Sequence, residues 1–157
     1  MTEPTIAVRH AAPADLDAIA EFNAAMAKET EDKVLAAETL RAGVAAVLAE
    51  PRHGFYLVAD ADGAAAGCLM ITYEWSDWRN GEWWWLQSVY VRPEWRRGGV
   101  FRALYAEVER RAMAAPGVIG VRLYVERENA RAQHTYASLG LAETHYRLYE
   151  KTFAAGR

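Results

Sequence analysis

Val89-Tyr90-Val91-Arg92-Pro93-Glu94-Trp95-Arg96-Arg97-Gly98-Gly99-Val100-Phe101-Arg102 is the stretch whose reading decides the fold. Its first residues are branched and aromatic, as strands prefer. A basic loop with two glycines then leads directly into the helical spacing Val100, Leu104, Val108, Ala112. At such a junction the first N–H groups of the helix have no partner within it, and the helix dipole adds partial positive charge. Gly98 and Gly99 let an anion approach the backbone without meeting a Cβ, and Arg96, Arg97 and Arg102 supply further charge. Locally, two readings stand side by side: a phosphate cradle, or an ordinary strand-to-helix turn with solvated arginines. No Gly-Lys-Ser/Thr follows, so this is not a Walker loop, and the three-glycine spacing of a dinucleotide fold is missing.

Working outward, Ile6, Val8 and His10 alternate as a first strand that stops at Pro13. Leu16, Ile19, Phe22 and Met26 then form one helical stripe, and Leu40, Val44, Val47 and Leu48 a second, ending before Pro51. Phe55–Val58 and Ala65–Tyr73 are two strands joined by the turn Asp60-Ala61-Asp62-Gly63. Asn80-Gly81 marks another hairpin, followed by a strand over Trp83–Val91. After the helix from Val100, Val118–Val125 alternates as a strand, Asn129 N-caps a helix through Leu139 with Gly140 as its C′ residue, and His145–Phe153 alternates again. The order β, α, α, β, β, β, α, β, α, β calls for an α/β sandwich around a mixed sheet.

At 157 residues and 17.5 kDa the chain fits one domain over 1–157 with a substantial core. A net charge of −3 gives no long-range attraction to phosphate backbones, so nucleic acid is not an expected partner, whereas the short arginine cluster suits one small polyanion. Cys68 is the only cysteine and lies among apolar neighbours, and no Cys/His spacing resembles a zinc site, so no metal is expected. The start Met1-Thr2-Glu3-Pro4 lacks the features of a signal peptide and no apolar run reaches the roughly 18 residues of a membrane span. No membrane partner and a cytoplasmic location are the expectation.

Arg96-x-x-Gly99 resembles the first part of the pyrophosphate loop of the GNAT superfamily of acetyl-CoA-dependent N-acetyltransferases, Arg/Gln-x-x-Gly-x-Gly/Ala, between a fourth strand and a third helix. Phe101 departs from it where the pattern has Gly or Ala, and its side chain is expected in the core beside the helix. A second motif, Asn129-x-x-Ala132-x-x-x-Tyr136-x-x-x-Gly140-Leu141, resembles the family's Asn-x-x-Ala-x-x-x-Tyr-x-x-x-Gly-Phe element. The resemblance covers nearly the whole chain. It implies an α/β (α+β) fold with a mixed, mostly antiparallel central sheet and helices on both faces. It also implies acetyl-CoA as cosubstrate, bound by Val89, Tyr90, Val91, Arg96, Arg97, Gly98, Gly99, Val100, Phe101, Arg102 and Asn129.

Aminolysis of a thioester needs a neutral amine, a donor to the developing oxyanion and a route for protonating the leaving thiolate. The resemblance implies that a bulge in the fourth strand frees a backbone N–H at Val89 for the oxyanion, and that Tyr136 faces the CoA sulfur as general acid. Gln87 stands where the polyamine acetyltransferases, which this strand also resembles, have a glutamate. Glutamine is no base, but it can orient the amine or a water. His134 and His145 stand alone and are assigned no role.

Five tryptophans fall within 11 residues, Trp75, Trp78, Trp83, Trp84 and Trp85. Sheet packing or a homodimer interface is one reading. The other is an aromatic wall for a cationic acceptor, with Trp75, Trp85 and the carboxylate of Glu29 on the substrate side. The reaction read from the sequence is transfer of acetyl from acetyl-CoA to a primary amine of a small molecule by direct attack in a ternary complex. The alternatives are a non-catalytic CoA-binding module and a transferase acting on proteins or peptides.

Overall fold

A computed structural model describes residues 2–153. The chain folds as two compact units with the boundary after Leu123. In the first, β1 (Ile6–His10), α1 (Leu16–Glu31), α2 (Ala37–Ala49), β2 (Phe55–Ala61), β3 (Ala64–Ser76), β4 (Gly81–Val91), α3 (Val100–Ala114) and β5 (Val118–Arg122) follow in order. The five strands form one sheet in the order β1-β2-β3-β4-β5, antiparallel except for the parallel pair β4–β5. A parallel neighbour needs a crossover, and α3 supplies it.

Strand alternation sends Tyr56, Val58, Cys68 and Tyr90 to the face that α1 and α2 cover with Ile19, Phe22 and Val44. The intervening Leu57, Leu69 and Ile71 are fully buried too, and α3 packs against β1, β2, β3 and β5 through its stripe Val100, Leu104, Val108 and Ala112. The β2–β3 turn is a two-residue turn in which Asp62 (φ 50°) and Gly63 (φ 84°) both take the left-handed conformation that a type I′ hairpin requires.

The β3–β4 ladder contains a bulge. Cys68 pairs with Tyr90 and Met70 with Gln87, so Ser88 and Val89 together oppose Leu69. Ser88 sits at φ +50° within the strand, a strained conformation costing about 1–3 kcal/mol that the surrounding ladder must hold in place. Gly67 is required beside it, because a Cβ there would lie 2.5 Å from the Tyr90 carbonyl oxygen.

The second unit contains α4 (Ala130–Ser138). Asn129 caps it as the sequence predicts, its side chain accepting from the Ala132 N–H at 3.1 Å, and Gly140 (φ +90°) closes its C-terminus. Two expectations change. β5 ends at Arg122 rather than Val125, and residues 145–153 carry no strand despite their alternation. Alternation marks which side chains would share a face, but a strand exists only where another backbone accepts and donates its hydrogen bonds.

At the β4–β5 pair, Gly120 lies under the Trp83 ring, where a Cβ would come within 2.5 Å of the ring carbons. Arg122 lies 4.0 Å from the centre of that ring and Arg79 5.3 Å, so the ring cannot simply move away. Gly120→Ala is therefore expected to destabilise the protein by about 1–3 kcal/mol, the usual cost of overpacking, which thermal unfolding would register as a fall of several degrees in Tm.

Candidate active site

The basic loop leaves β4 through a single 3-10 turn, Pro93–Trp95, and enters α3 through Gly99, which caps the helix at φ +85° with no side-chain cap hydrogen bond. Nothing lies within 4 Å of where a Gly99 Cβ would be, so the space above the helix end is open. The helical ladder starts at this end with Ala103 N–H to Gly99 O, at 3.0 Å, so the N–H groups of Val100, Phe101 and Arg102 precede it. Phe101 is half-buried, its ring tilted against Tyr105 at 6.2 Å, which turns the bulky side chain toward its own helix. Its N–H does not depend on the side chain, so the departure at this position leaves the cradle geometry in place. A pyrophosphate fits here: open N–H groups, an unobstructed glycine and the exposed side chains of Arg97 and Arg102.

The four arginines divide into two kinds. Arg92 is tied into the fold, donating to the Ala65 carbonyl (2.9 Å) and Glu21 (3.1 Å) and lying 4.8 Å from the Phe22 ring centre. Arg96 is also fixed, through the Val91 carbonyl (2.9 Å) and the Glu29 carboxylate (2.7 Å). That ion pair, with the Tyr90 hydroxyl donating to the other Glu29 oxygen at 3.1 Å, lowers the Glu29 carboxyl below its ordinary range, the Arg96 hydrogen bond being the largest cause. Burial, and then the Glu29 carboxylate, raise the Tyr90 phenol.

Below the loop, the bulge borders a cavity of about 420 Å³ lined by both first helices and the sheet. Its walls are mainly apolar, from Leu35, Leu40, Val44, Val47 and Met70. Polar groups appear where the cavity meets the strands. Asn23 donates to the Ile19 carbonyl (3.1 Å) and to the Tyr56 hydroxyl (3.4 Å), and Ser88 lines the same wall. Burial raises the Tyr56 phenol, so it stays neutral at physiological pH. Asn23, Tyr56 and Ser88 were not read as site residues from the sequence. Asn23 sits inside an apolar helical stripe and Tyr56 inside an apolar strand, and only the bulge brings Ser88 to them.

Gln87 donates to the Thr72 hydroxyl at 2.6 Å across the β3–β4 ladder, which fixes its amide. Trp85 shares its side of β4 and is half-buried, while Trp75 is 63% exposed on β3. Trp83 already has a cation, since Arg122 stacks on it while also donating to Glu74 at 2.5 Å. The protein's own arginine thus occupies one face of the expected aromatic wall. Tyr136, on α4 in the second unit, is half-buried, and burial raises its phenol pKa. Among the described residues no group of acidic, histidine or cysteine side chains could hold a metal ion, and no helix is long and apolar enough to cross a membrane.

A mostly antiparallel sheet, parted by a bulge next to an uncapped helix end, is the architecture of an acetyltransferase. Residues 17–141 match the acetyltransferase (GNAT) family, and the chain belongs to it. A possible acetyltransferase from Clostridium difficile 630 is 44% identical, with a TM-score of 0.89 over 95% of this chain and 98% of that one. The fold is also that of an aminoglycoside N-acetyltransferase, AAC(6')-Iy, in complex with CoA, at 20% identity and a TM-score of 0.76 over 98% of each chain. Another structure of that enzyme, in complex with the bisubstrate analogue CoA-S-monomethyl-acetylneamine, aligns at 19% identity and a TM-score of 0.75 over 96% of this chain and 99% of the other. Among curated proteins none matches the chain.

Gly99→Glu places a carboxylate in the open space above the helix end and a side chain at φ +85°. Calorimetric titration is expected to show acetyl-CoA affinity lost in a variant whose circular dichroism is unchanged; tight binding by the folded variant would remove the loop from the site.

Proposed function

We propose that the protein is an acetyl-CoA-dependent N-acetyltransferase that acetylates a primary amine of a small molecule by direct attack in a ternary complex. The observation that carries this reading is the bulge at Ser88–Val89, which has the uncapped helix end beyond it on one side and the cavity on the other. Acetyl-CoA supplies an activated acyl group, held by its pyrophosphate at Arg97–Arg102. The Val89 N–H, outside the regular ladder, is the donor for the oxyanion. Tyr136 is the proton donor to the departing sulfur, a role the second motif supports and its protonated phenol permits. Gln87 orients the amine through its carbonyl oxygen while Thr72 holds its amide group.

The cavity favours an amine with an apolar body. Its walls offer few partners for a second charge, and burying an unpaired charge is costly. Asn23, Tyr56 and Ser88 then receive the polar end of the acceptor. Glu29, its carboxylate kept ionised by Arg96, favours a cation on approach, and Trp85 and Trp75 offer aromatic faces farther along the β3–β4 hairpin.

Thiol release from acetyl-CoA, measured with an arylalkylamine, spermidine and glutamate from about pH 6 to pH 9, tests this reading. The expected order of kcat/KM is arylalkylamine, spermidine, glutamate, rising with pH along the amine's own titration because no carboxylate stands at Gln87. A preference for glutamate would overturn it. Tyr136→Phe is expected to lower kcat roughly 10- to 1,000-fold with little change in acetyl-CoA affinity, bracketing the usual size of general acid catalysis. Unchanged turnover across the pH range would assign Tyr136 a structural role.

A further inference from the structure

Beyond the first cavity lies a second, of about 190 Å³, at the start of β2. Phe55 and Tyr56 both line it, although neighbours on a strand point to opposite faces, so it wraps the strand end. Among the described residues the two cavities share Val47 and Tyr56 and no others. On the helix wall, Ala36, Leu40, Val44 and Val47 line the first cavity and Val47, Leu48 and Pro51 the second, so one helix face and the turn after it serve both. Only Val44 of the 13 residues of α2 is buried, which leaves room under most of that face. On the sheet wall, Gln87 pairs with Met70, Met70 with Tyr56, and the Ala11 N–H donates to the Tyr56 carbonyl at 2.9 Å. Met70 lines the first cavity, Tyr56 both and Ala11 the second. Both walls therefore pass from one cavity to the other at the same place, along a row that crosses three strand spacings, roughly 14 Å.

Size decides what the second cavity can hold. Sites for a whole small molecule start at roughly 300 Å³, whereas an apolar cavity of roughly 150 Å³ takes one benzene ring. At about 190 Å³ the second cavity has room for a single ring and not for a ligand of its own. Its lining suits a ring, since Phe55 stacks on His10 at 5.4 Å and lies 6.5 Å from Tyr73. Among the described residues no Asp, Glu, Lys or Arg lines either cavity, so a second ammonium group at the far end would meet no carboxylate.

We infer that the two cavities are one channel for a long arylalkylamine: its nitrogen lies at Gln87 and Ser88, its alkyl chain runs over Met70 and Tyr56 beneath α2, and its terminal ring sits against Phe55 and Tyr73. The direction of the ligand, amine at the bulge, rests on the proposed reaction. Val47 then sets how long an acceptor the protein takes. Of the two residues at the partition, Tyr56 is held by the Asn23 amide at 3.4 Å, whereas Val47 is a half-buried apolar side chain near the end of its helix, with no polar group to tie it. An amine whose ring stands close to the nitrogen ends within the first cavity. One whose ring stands several carbons away passes Val47 and buries the ring in the second.

Calorimetric titration of the full chain with phenylethylamine, phenylbutylamine and phenylhexylamine is expected to show affinity rising along the series, with hexamethylenediamine weaker than phenylhexylamine. Leu48→Trp, which fills the second cavity, is expected to weaken phenylhexylamine about tenfold relative to phenylethylamine, the order expected when one ring loses its apolar contacts. Val47→Ala widens the passage and is expected to move the same ratio the other way. A wild-type chain that prefers phenylethylamine, or a ratio that a folded variant leaves unmoved, would overturn the inference; if Leu48→Trp does not fold, the amine series and Val47→Ala decide it. Thiol release with phenylethylamine, which ends short of Val47, reads the proposed reaction by itself. Turnover of that amine without the length preference in binding overturns the channel and leaves the reaction standing, and length-dependent binding without turnover does the reverse.

Discussion

The candidate site in this structure depends on one mismatch in the β3–β4 ladder. Two residues, Ser88 and Val89, face one, Leu69, and the fourth strand cannot continue flat past that point. The mismatch is costly, because Ser88 must take a positive φ, and the neighbours are arranged to hold it. Gly67 admits the Tyr90 carbonyl on one side, and the Cys68 thiol lies 3.8 Å from the Ser88 carbonyl on the other. Beyond the bulge the strand resumes its pairing one residue out of step, so that Tyr90 faces α1 and its hydroxyl reaches Glu29. Removing the extra residue would shift Tyr90 and Val91 to opposite faces and take the arginine loop with them.

The electrostatics follow from how that loop is anchored. An arginine-rich loop that was wholly solvated would bind an anion only by its average charge. Here Arg92 and Arg96 are consumed by the fold, one clamped between α1 and β3, the other between the end of β4 and Glu29. They stiffen the path into α3, and the positive potential left for a ligand comes from the helix end and from the exposed Arg97 and Arg102. Fixed backbone donors lose little freedom on binding, which favours a pyrophosphate more than two mobile side chains would.

Much of this was legible in the sequence, and the rest failed for identifiable reasons. The strand–loop–helix segment, the Asp62-Gly63 turn and the Asn129 cap are local signals, written in residues whose preferred conformation is the one observed. The family followed from two short motifs for the same reason. The polar wall of the cavity was not legible, because Asn23, Tyr56 and Ser88 are brought together by packing across 65 positions and none belongs to a local pattern. The tryptophans misled differently. Their spacing on β4 was plain, but not that Arg122, one strand away, would stack on Trp83 and bond Glu74. The terminal alternation at 145–153 has the pattern of a strand and forms none, because period-two patterning reports faces and says nothing of a partner.

The cavity bears on one step of the proposed reaction. The proposed acceptor is an amine that would arrive protonated and attack only when neutral, and no carboxylate stands at Gln87 to receive the proton. Apolar walls help directly. Desolvation disfavours the ammonium form and lowers the amine's pKa, as it does for a buried lysine. The Asn23 amide and the neutral Tyr56 phenol then offer hydrogen bonds without a charge that would hold the ammonium in place. A negative group at that position would bind the protonated amine more tightly and, unless it also took the proton, slow its reaction. For the proposed reaction the weakly polar wall is consistent with Gln87: both would leave the proton to water and use burial, in place of a fixed base, to make the nucleophile.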